Sequence, residues 1–531
     1  MKRKVPKKKK PVGFSFEEAL KAMNAEELRE LANEMFLELD NRAHNRIVSS
    51  LMERAARGAS GPLPEGPSQE SIAEIMAFAK RAVSKSWSDP EEMDEYLQEG
   101  SKAFLSKNYR GAYEIFRALL LPICDGDIYL GQDELVDEVL AVDISTCAAQ
   151  YVASAYMITE HENRATVFKE TMLEVYYEGH FWKPIEELEK TSIEPLPDLD
   201  RFLLNWRTLL ETDIEEGRRV RNDDQYRWLR EVVERMEGVD GLAKVARASR
   251  LSDDLDAWCD MLVKAGDWKS AFAAYKEAAE IVTDKQYAKA TFLDGVALAA
   301  QELGKKNLSQ HLERAWRQSP TLLRLIRWLG TSKNKATITK KAKQALDACP
   351  QKAHRQRAFL HLLLSDFGKS AKLLGAAKGL GWSDSEHPGH LLFPLFYKLL
   401  GGDDTVFESG YKTISTGRLS IGDLEYISVR DDEPTLFTPT IDEILALDGL
   451  SGKIIETSKN KILQAMKKAA ENRVDGVTSK GRRKYYSHAA QLASACLAVD
   501  NSTRTIAWFE SLRQEYRRYP ALQAAFSKVL E

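Results

Sequence analysis

The sequence predicts an all-α protein of helical hairpins stacked as a solenoid, with a short irregular insertion near 401–440. Three observations predict it. From Glu70 to about Gly401, apolar residues recur at i, i+3, i+4 and i+7 in a chain dominated by Ala, Leu, Glu, Lys and Arg. The periodic segments run roughly 10–18 residues and stop at Gly, Pro or Asn. A fixed spacing of small and large residues returns along the chain, and such a return favours stacked hairpins over a single bundle.

Residues 1–13 read as a disordered basic arm, because seven of the first ten residues are Lys or Arg and nothing apolar is there to bury. Residues 14–57 read as an N-terminal helical segment. Ser15 and Glu18 have the spacing of a capping box, and Leu20, Met23, Leu28, Leu31, Met35 and Leu39 follow at helical intervals. Residues 58–69 hold three Gly and three Pro and read as a linker. Residues 70–400 form the predicted helical-repeat body. The stretch 401–440 is rich in Gly, Thr, Ser and Asp, with strand-like runs at Tyr426–Val429 and Thr435–Phe437 that make it a candidate small β-hairpin. Helical patterning resumes over 441–531.

Within the body, one register places a small residue, an aromatic nine later, a small residue three beyond it and a large residue four further on. Gly100, Tyr109, Ala112 and Phe116 fit it, as do Cys259, Trp268, Ala271 and Tyr275, and Ala358, Phe367, Ser370 and Leu374. In a helix hairpin the first small residue admits the partner helix. The aromatic wedges in just past the turn, the second small residue marks the crossing, and the large one fills the gap to the next repeat. This register resembles the tetratricopeptide repeat (TPR), a helix–turn–helix unit of about 34 residues. A further copy through Gly295, Ala297, Ala315 and Pro320 departs from the pattern at Gly304, where the aromatic is missing.

A second resemblance lies near the C-terminus. Arg482-Arg483-Lys484-Tyr485-Tyr486, Ala489-Ala490, Trp508, Leu512 and the run Tyr516–Leu522 resemble the helical region accompanying SWIM-type zinc fingers in bacterial proteins. Gly381-Trp382-Ser383 and His387-Pro388-Gly389-His390 are similar to sequence in bacterial helical-repeat proteins. The finger itself needs CxC and CxH, and neither is present. Its metal and nucleic-acid roles therefore do not transfer.

Bulk properties narrow the function. With 44% hydrophobic and 29% charged residues, the 531-residue chain is neither collagen-like nor wholly disordered. Setting the arm aside leaves 69 basic against 80 acidic residues, a net of −11. Five cysteines without CxxC spacing fit a reducing compartment rather than a disulfide framework. The longest apolar run, Leu391–Leu400, is shorter than the roughly 18 residues of a membrane span and contains Pro394 and Lys398. The basic start lacks the apolar core of a signal peptide. The expectation is a cytoplasmic protein, or a nuclear one in a eukaryote, where the arm would read as an import signal.

The chemical motifs resolve to ordinary structure. Gly401-Gly402-Asp403-Asp404 matches the metal-binding turn of cyclase-like domains, but it follows a helical segment, where Gly-Gly is a normal cap. His387 and His390 flank a Pro-Gly turn with no cysteine nearby, and His361 is close in sequence only. Cys124-Asp125-Gly126-Asp127 lacks the Gly and Glu of a calcium loop. Gly449–Lys453 has the wrong glycine spacing for a phosphate loop. No catalytic, cofactor or metal residues are assigned. Lys2, Arg3, Lys4, Lys7, Lys8, Lys9 and Lys10 are candidate phosphate contacts. The expected function is a non-catalytic scaffold or adaptor that binds a protein or peptide in a helical-repeat groove. The alternative is a nucleic-acid accessory protein using the basic arm and the C-terminal basic helices.

Overall fold

The computed structural model describes residues 23–37, 47, 65–132, 136, 139–176, 179, 181–217, 224–283, 287–384, 386–402, 434–450 and 456–530. Among these lie twenty-three α-helices and no strand beyond one isolated bridge, Trp87 with Tyr129. The fold is all-α, with helices packing mainly on their neighbours in sequence. The chain divides into two compact units, Met1–Leu242 and Ala243–Glu531. That division falls inside the 70–400 stretch, in the second half of a helix that Gly238 interrupts with a φ of 59°.

In the first unit, α1 (Ala25–Leu37) starts where Asn24 and Glu27 satisfy each other's backbone N–H groups. The capping box at Ser15 lies outside the described residues, as does most of the 58–69 linker. Then come α2 (Gln69–Lys85), α3 (Pro90–Leu105), α4 (Tyr109–Cys124) and α5 (Ile144–Ile158). Ser68, Asp89, Asn108 and Asp143 cap them by accepting first-turn N–H groups, and Pro90 opens α3 where no N–H is needed. The unit continues through α6 (Arg164–Glu174), α7 (Pro184–Thr191), α8 (Leu199–Glu215) and α9 (Asp224–Ser249). Helix α4 packs on α3 and α5, α5 on α6 and α7, and α6 on α8.

Aromatic rings fill this unit's core. Phe168 stands edge-on to Phe202 and Trp206 at 5.3 Å from each, Tyr156 lies 4.9 Å from Phe202, and Trp206 lies 6.0 Å from Trp228. Edge-to-face rings set the positive rim of one against the negative face of the next, which adds about 0.5–1.5 kcal/mol per pair beyond burial. Trp228 anchors the cluster by donating to the carbonyl of Phe181 at 2.9 Å.

In the second unit, α10 (Ser252–Lys264), α11 (Trp268–Ile281), α12 (Ala288–Glu302), α13 (Leu308–Gln318), α14 (Leu322–Gly330), α15 (Lys335–Ala348), α16 (His354–Leu363) and α17 (Phe367–Gly375) each pack on the next. Helix α18 (Pro388–Leu399) packs on α16 and α17. The strict succession then ends. Helix α19 (Ile441–Asp448) returns to α14 and α15, and α20 (Glu456–Ser479) packs on α17 and α18. Helices α21 (Tyr486–Val499), α22 (Thr503–Glu515) and α23 (Pro520–Lys528) complete the unit, with α21 on α18, α20, α22 and α23. The described residues past 440 thus share one core with the preceding helices.

Of the 401–440 insertion, residues 403–433 lie outside the described residues, and so does the strand-like run Tyr426–Val429. Gly401 and Gly402 close α18 as a left-handed cap, with Gly402 N–H reaching the carbonyl of Tyr397 at 2.9 Å. The second expected strand, Thr435–Phe437, is not one. Its backbone groups bond to a side chain on α12 instead of to another strand.

Candidate peptide-binding face

The repeat register resolves into three hairpins. In α3–α4, Gly100 meets Phe116: a Cβ on Gly100 would stand 2.8 Å from the Phe116 ring. Ala112 and Phe116 are fully buried. Tyr109, the first residue of α4, is half-buried at the turn; its ring meets Phe104 and its hydroxyl donates to Glu194 at 2.7 Å. Lys107 also donates to Glu194 and holds that carboxyl below its ordinary range.

In α10–α11, Cys259 and Ala271 are buried and Trp268 is half-buried. Tyr275 is buried against Gly295 of α12, where any Cβ would overlap its ring. Gly295 therefore has to be glycine, and one hairpin's large residue seats in the next helix. In α16–α17, Ser370 is fully buried and its hydroxyl donates to the carbonyl of Ala358 at 2.9 Å. Phe367 and Leu374 are buried beside them.

One surface of the second unit holds a guest. Residues 434–440 run without regular structure into the capping box of α19, formed by Thr440 and Glu443. Pro434 and Pro439 favour an extended chain, because the residue before a proline is pushed away from helical angles. The Gln301 amide on α12 clasps this segment at two points. Its Nε2 donates to the carbonyl of Thr435 at 3.0 Å, and its Oε1 accepts the N–H of Phe437 at 2.8 Å. Leu436 and Pro439 point inward and are buried, whereas Phe437 is 66% exposed.

Two further contacts come from α14. Arg327 donates from Nε to the Thr438 hydroxyl at 2.9 Å, and that hydroxyl donates on to the carbonyl of Leu436. Gly330 leaves the seat for the Pro439 ring, which an added Cβ would overlap. The electrostatics beneath are tight. Burial lowers the pKa of Arg327 and raises that of Asp294, although the Arg324 guanidinium donates to Asp294 at 2.7 Å. Lys341 donates to the carbonyl of Trp328 at the end of α14, and burial lowers its pKa to about 8. Sequence reasoning missed Gln301, Arg327 and Gly330. The only hint was the PTLFTP run between two prolines.

The other candidates have structural roles. His387 caps α18: its Nδ1 accepts the N–H of Gly389 at 3.1 Å and its Nε2 faces the carbonyl of Lys378 at 2.9 Å. That arrangement requires the neutral ring protonated at Nε2, and burial lowers its pKa accordingly. His390 meets the Arg355 guanidinium, and His361 faces Asp366. Among the described residues no three His, Cys, Asp or Glu side chains converge as a metal site. Gly449 is the left-handed cap of α19. Asp403, Asp404 and the arm from Lys2 to Lys10 lie outside the described residues.

In the C-terminal basic stretch, Lys467 is buried and donates to Thr505 at 2.6 Å, and Arg473 donates to the carbonyl of Gly379 at 3.0 Å. Both are committed to internal packing. Tyr486, Ala489 and Ala490 are buried, and Trp508 donates to Glu471. A shallow groove of about 480 Å³ lies between Gly368–Gly375 and Asn460–Ala465. No described helix is long and apolar enough to cross a membrane.

No family model matches the chain, and no curated protein matches it.

Proposed function

We propose that the chain is a non-catalytic scaffold or adaptor, TPR-like in its hairpin register, that holds a protein or peptide partner on the exposed faces of its helical body. One observation carries this reading: the α12–α14 face holds an extended segment through its main chain, a buried leucine and a proline seat. Helical repeats offer extended binding surfaces, and where an extended peptide is held by its backbone, main-chain hydrogen bonds give affinity and side-chain pockets give specificity.

Cross-linking mass spectrometry of the full chain with its co-purifying proteins tests the reading. Partner cross-links should fall on body lysines such as Lys305 and Lys306, and capture should survive deletion of residues 2–10. Cross-links confined to the arm would overturn it. The competing reading, a nucleic-acid accessory protein, is favoured by the arm's seven positive charges. It requires a salt-dependent DNA or RNA shift that disappears with the same deletion.

A further inference from the structure

The clasp on residues 434–440 has the form of ligand recognition within a single chain. A connecting segment needs only to reach the next helix; it does not need its backbone read. Here a side-chain amide takes one carbonyl and one N–H two residues apart, which any extended peptide offers. Selectivity comes from three further elements. The apolar core that buries Leu436 takes a branched apolar side chain. The Arg327 Nε takes a hydroxyl two positions later. The bare backbone at Gly330 takes a proline ring one position after that. Phe437, between them, turns its side chain outward, so the face places no demand on that position.

We propose that the α12–α14 face is a binding site for extended partner peptides of the pattern Leu-x-Thr-Pro, and that residues 434–440 fill it in cis as a competitive pseudo-ligand. The inference rests on the adaptor reading above and names the site and the ligand chemistry for it. Tethering sets the strength of the competition. A covalently linked segment sits at an effective concentration on the order of millimolar, so a free peptide of micromolar affinity gains the site only when the segment is released. Helix α19, docked on α14 and α15 directly after the segment, keeps the tether short.

The test uses the full chain and a fluorescein-labelled octapeptide, Glu-Pro-Thr-Leu-Phe-Thr-Pro-Thr, copied from residues 433–440. Phe437→Pro in the protein removes the N–H that Gln301 accepts and alters only an exposed side chain, so it should release the cis segment and leave the fold. By fluorescence anisotropy this variant should bind the peptide at least tenfold more tightly than the wild type. Adding Gln301→Ala or Gly330→Ala to it should reverse that gain. Equal binding by all the proteins, or no binding to the Phe437→Pro protein at millimolar peptide, overturns the proposal.

Hydrogen exchange gives an independent reading on a variant that alters one surface side chain. In Gln301→Ala the amide of Phe437 should exchange about tenfold faster than in the wild type, and unchanged exchange counts against the clasp. Partner cross-links on the body without peptide binding would defeat this inference alone. Their absence from the body would defeat the adaptor reading itself.

Discussion

In the first unit, Tyr156, Phe168, Phe202 and Trp206 fill the space between α5, α6 and α8 with rings. In the second unit, where α20 crosses the end of α17, there is no space to fill. Gly476 of α20 lies against Gly379, and a Cβ on Gly476 would stand 2.9 Å from the Gly379 carbonyl carbon. Asn472 donates to the carbonyls of Gly375 and Ala377, closing α17 with a side chain from another helix. The rings are fully buried, whereas the glycine seam is half-buried. One region packs its helices with large, shape-specific side chains, the other by removing side chains until backbones touch. Mutations should therefore fail in opposite directions: the rings tolerate no loss of volume, and the glycine seam tolerates no gain.

The strongest test is Trp206→Ala. Trp206 is fully buried among three aromatic partners, Phe168, Phe202 and Trp228, and removing a core Trp costs about 3–5 kcal/mol. Calorimetry should show a lower unfolding temperature for the first unit, and an unchanged temperature would mean that the ring cluster is not its core. Next is Gly379→Ala, where the new methyl would overlap the carbonyl oxygen of Asn472. Because backbone rather than a flexible side chain must yield, denaturant unfolding should place it at the upper end of the ~1–3 kcal/mol typical of overpacking.

The third prediction concerns acid. His488 of α21 is buried against Trp382 and faces Arg473, His387 and His390; burial first, then the Arg473 guanidinium, lowers its pKa from 6.5 to about 3. The fold holds it neutral, so its contribution is full above pH 6.5 and is lost as pH falls from there toward 3. At pH 5 the loss should reach about 2 kcal/mol. His488→Phe should flatten the stability of the second unit between pH 6.5 and 5, and an unaltered slope would remove His488 as the cause. The smallest effect is a gain. Gly368 of α17 has open space around it, unlike Gly379, with only an Asp366 oxygen 3.9 Å from an added Cβ. Gly368→Ala should stabilise the protein by about 0.5–1 kcal/mol through helix propensity, and a loss would contradict the open geometry.

The same contrast explains what could be read in advance. Small-to-large spacings such as Cys259 to Tyr275 and Gly100 to Phe116 are local in sequence, because a hairpin brings its own two helices together. The Gly379–Gly476 approach joins residues nearly a hundred positions apart, and its glycines carry no periodic signal. The ring cluster in the first unit was equally hidden, since Phe168, Phe202 and Trp228 fit no repeat register. The Gln301 clasp could not be read either. A glutamine at the end of an amphipathic helix looks like any solvated polar residue until the chain returns to it.

By itself the sequence determined that the chain is helical and, for three hairpins, which small and large residues meet. Period, caps and turn glycines act over a few residues, and their physics is complete within that distance. Only the tertiary structure decided that the chain past residue 440 folds back onto α14, α15 and α17, and that a proline-bounded segment lies against Gln301, Arg327 and Gly330. Those contacts depend on how far the chain travels before it returns, and no local pattern encodes that path.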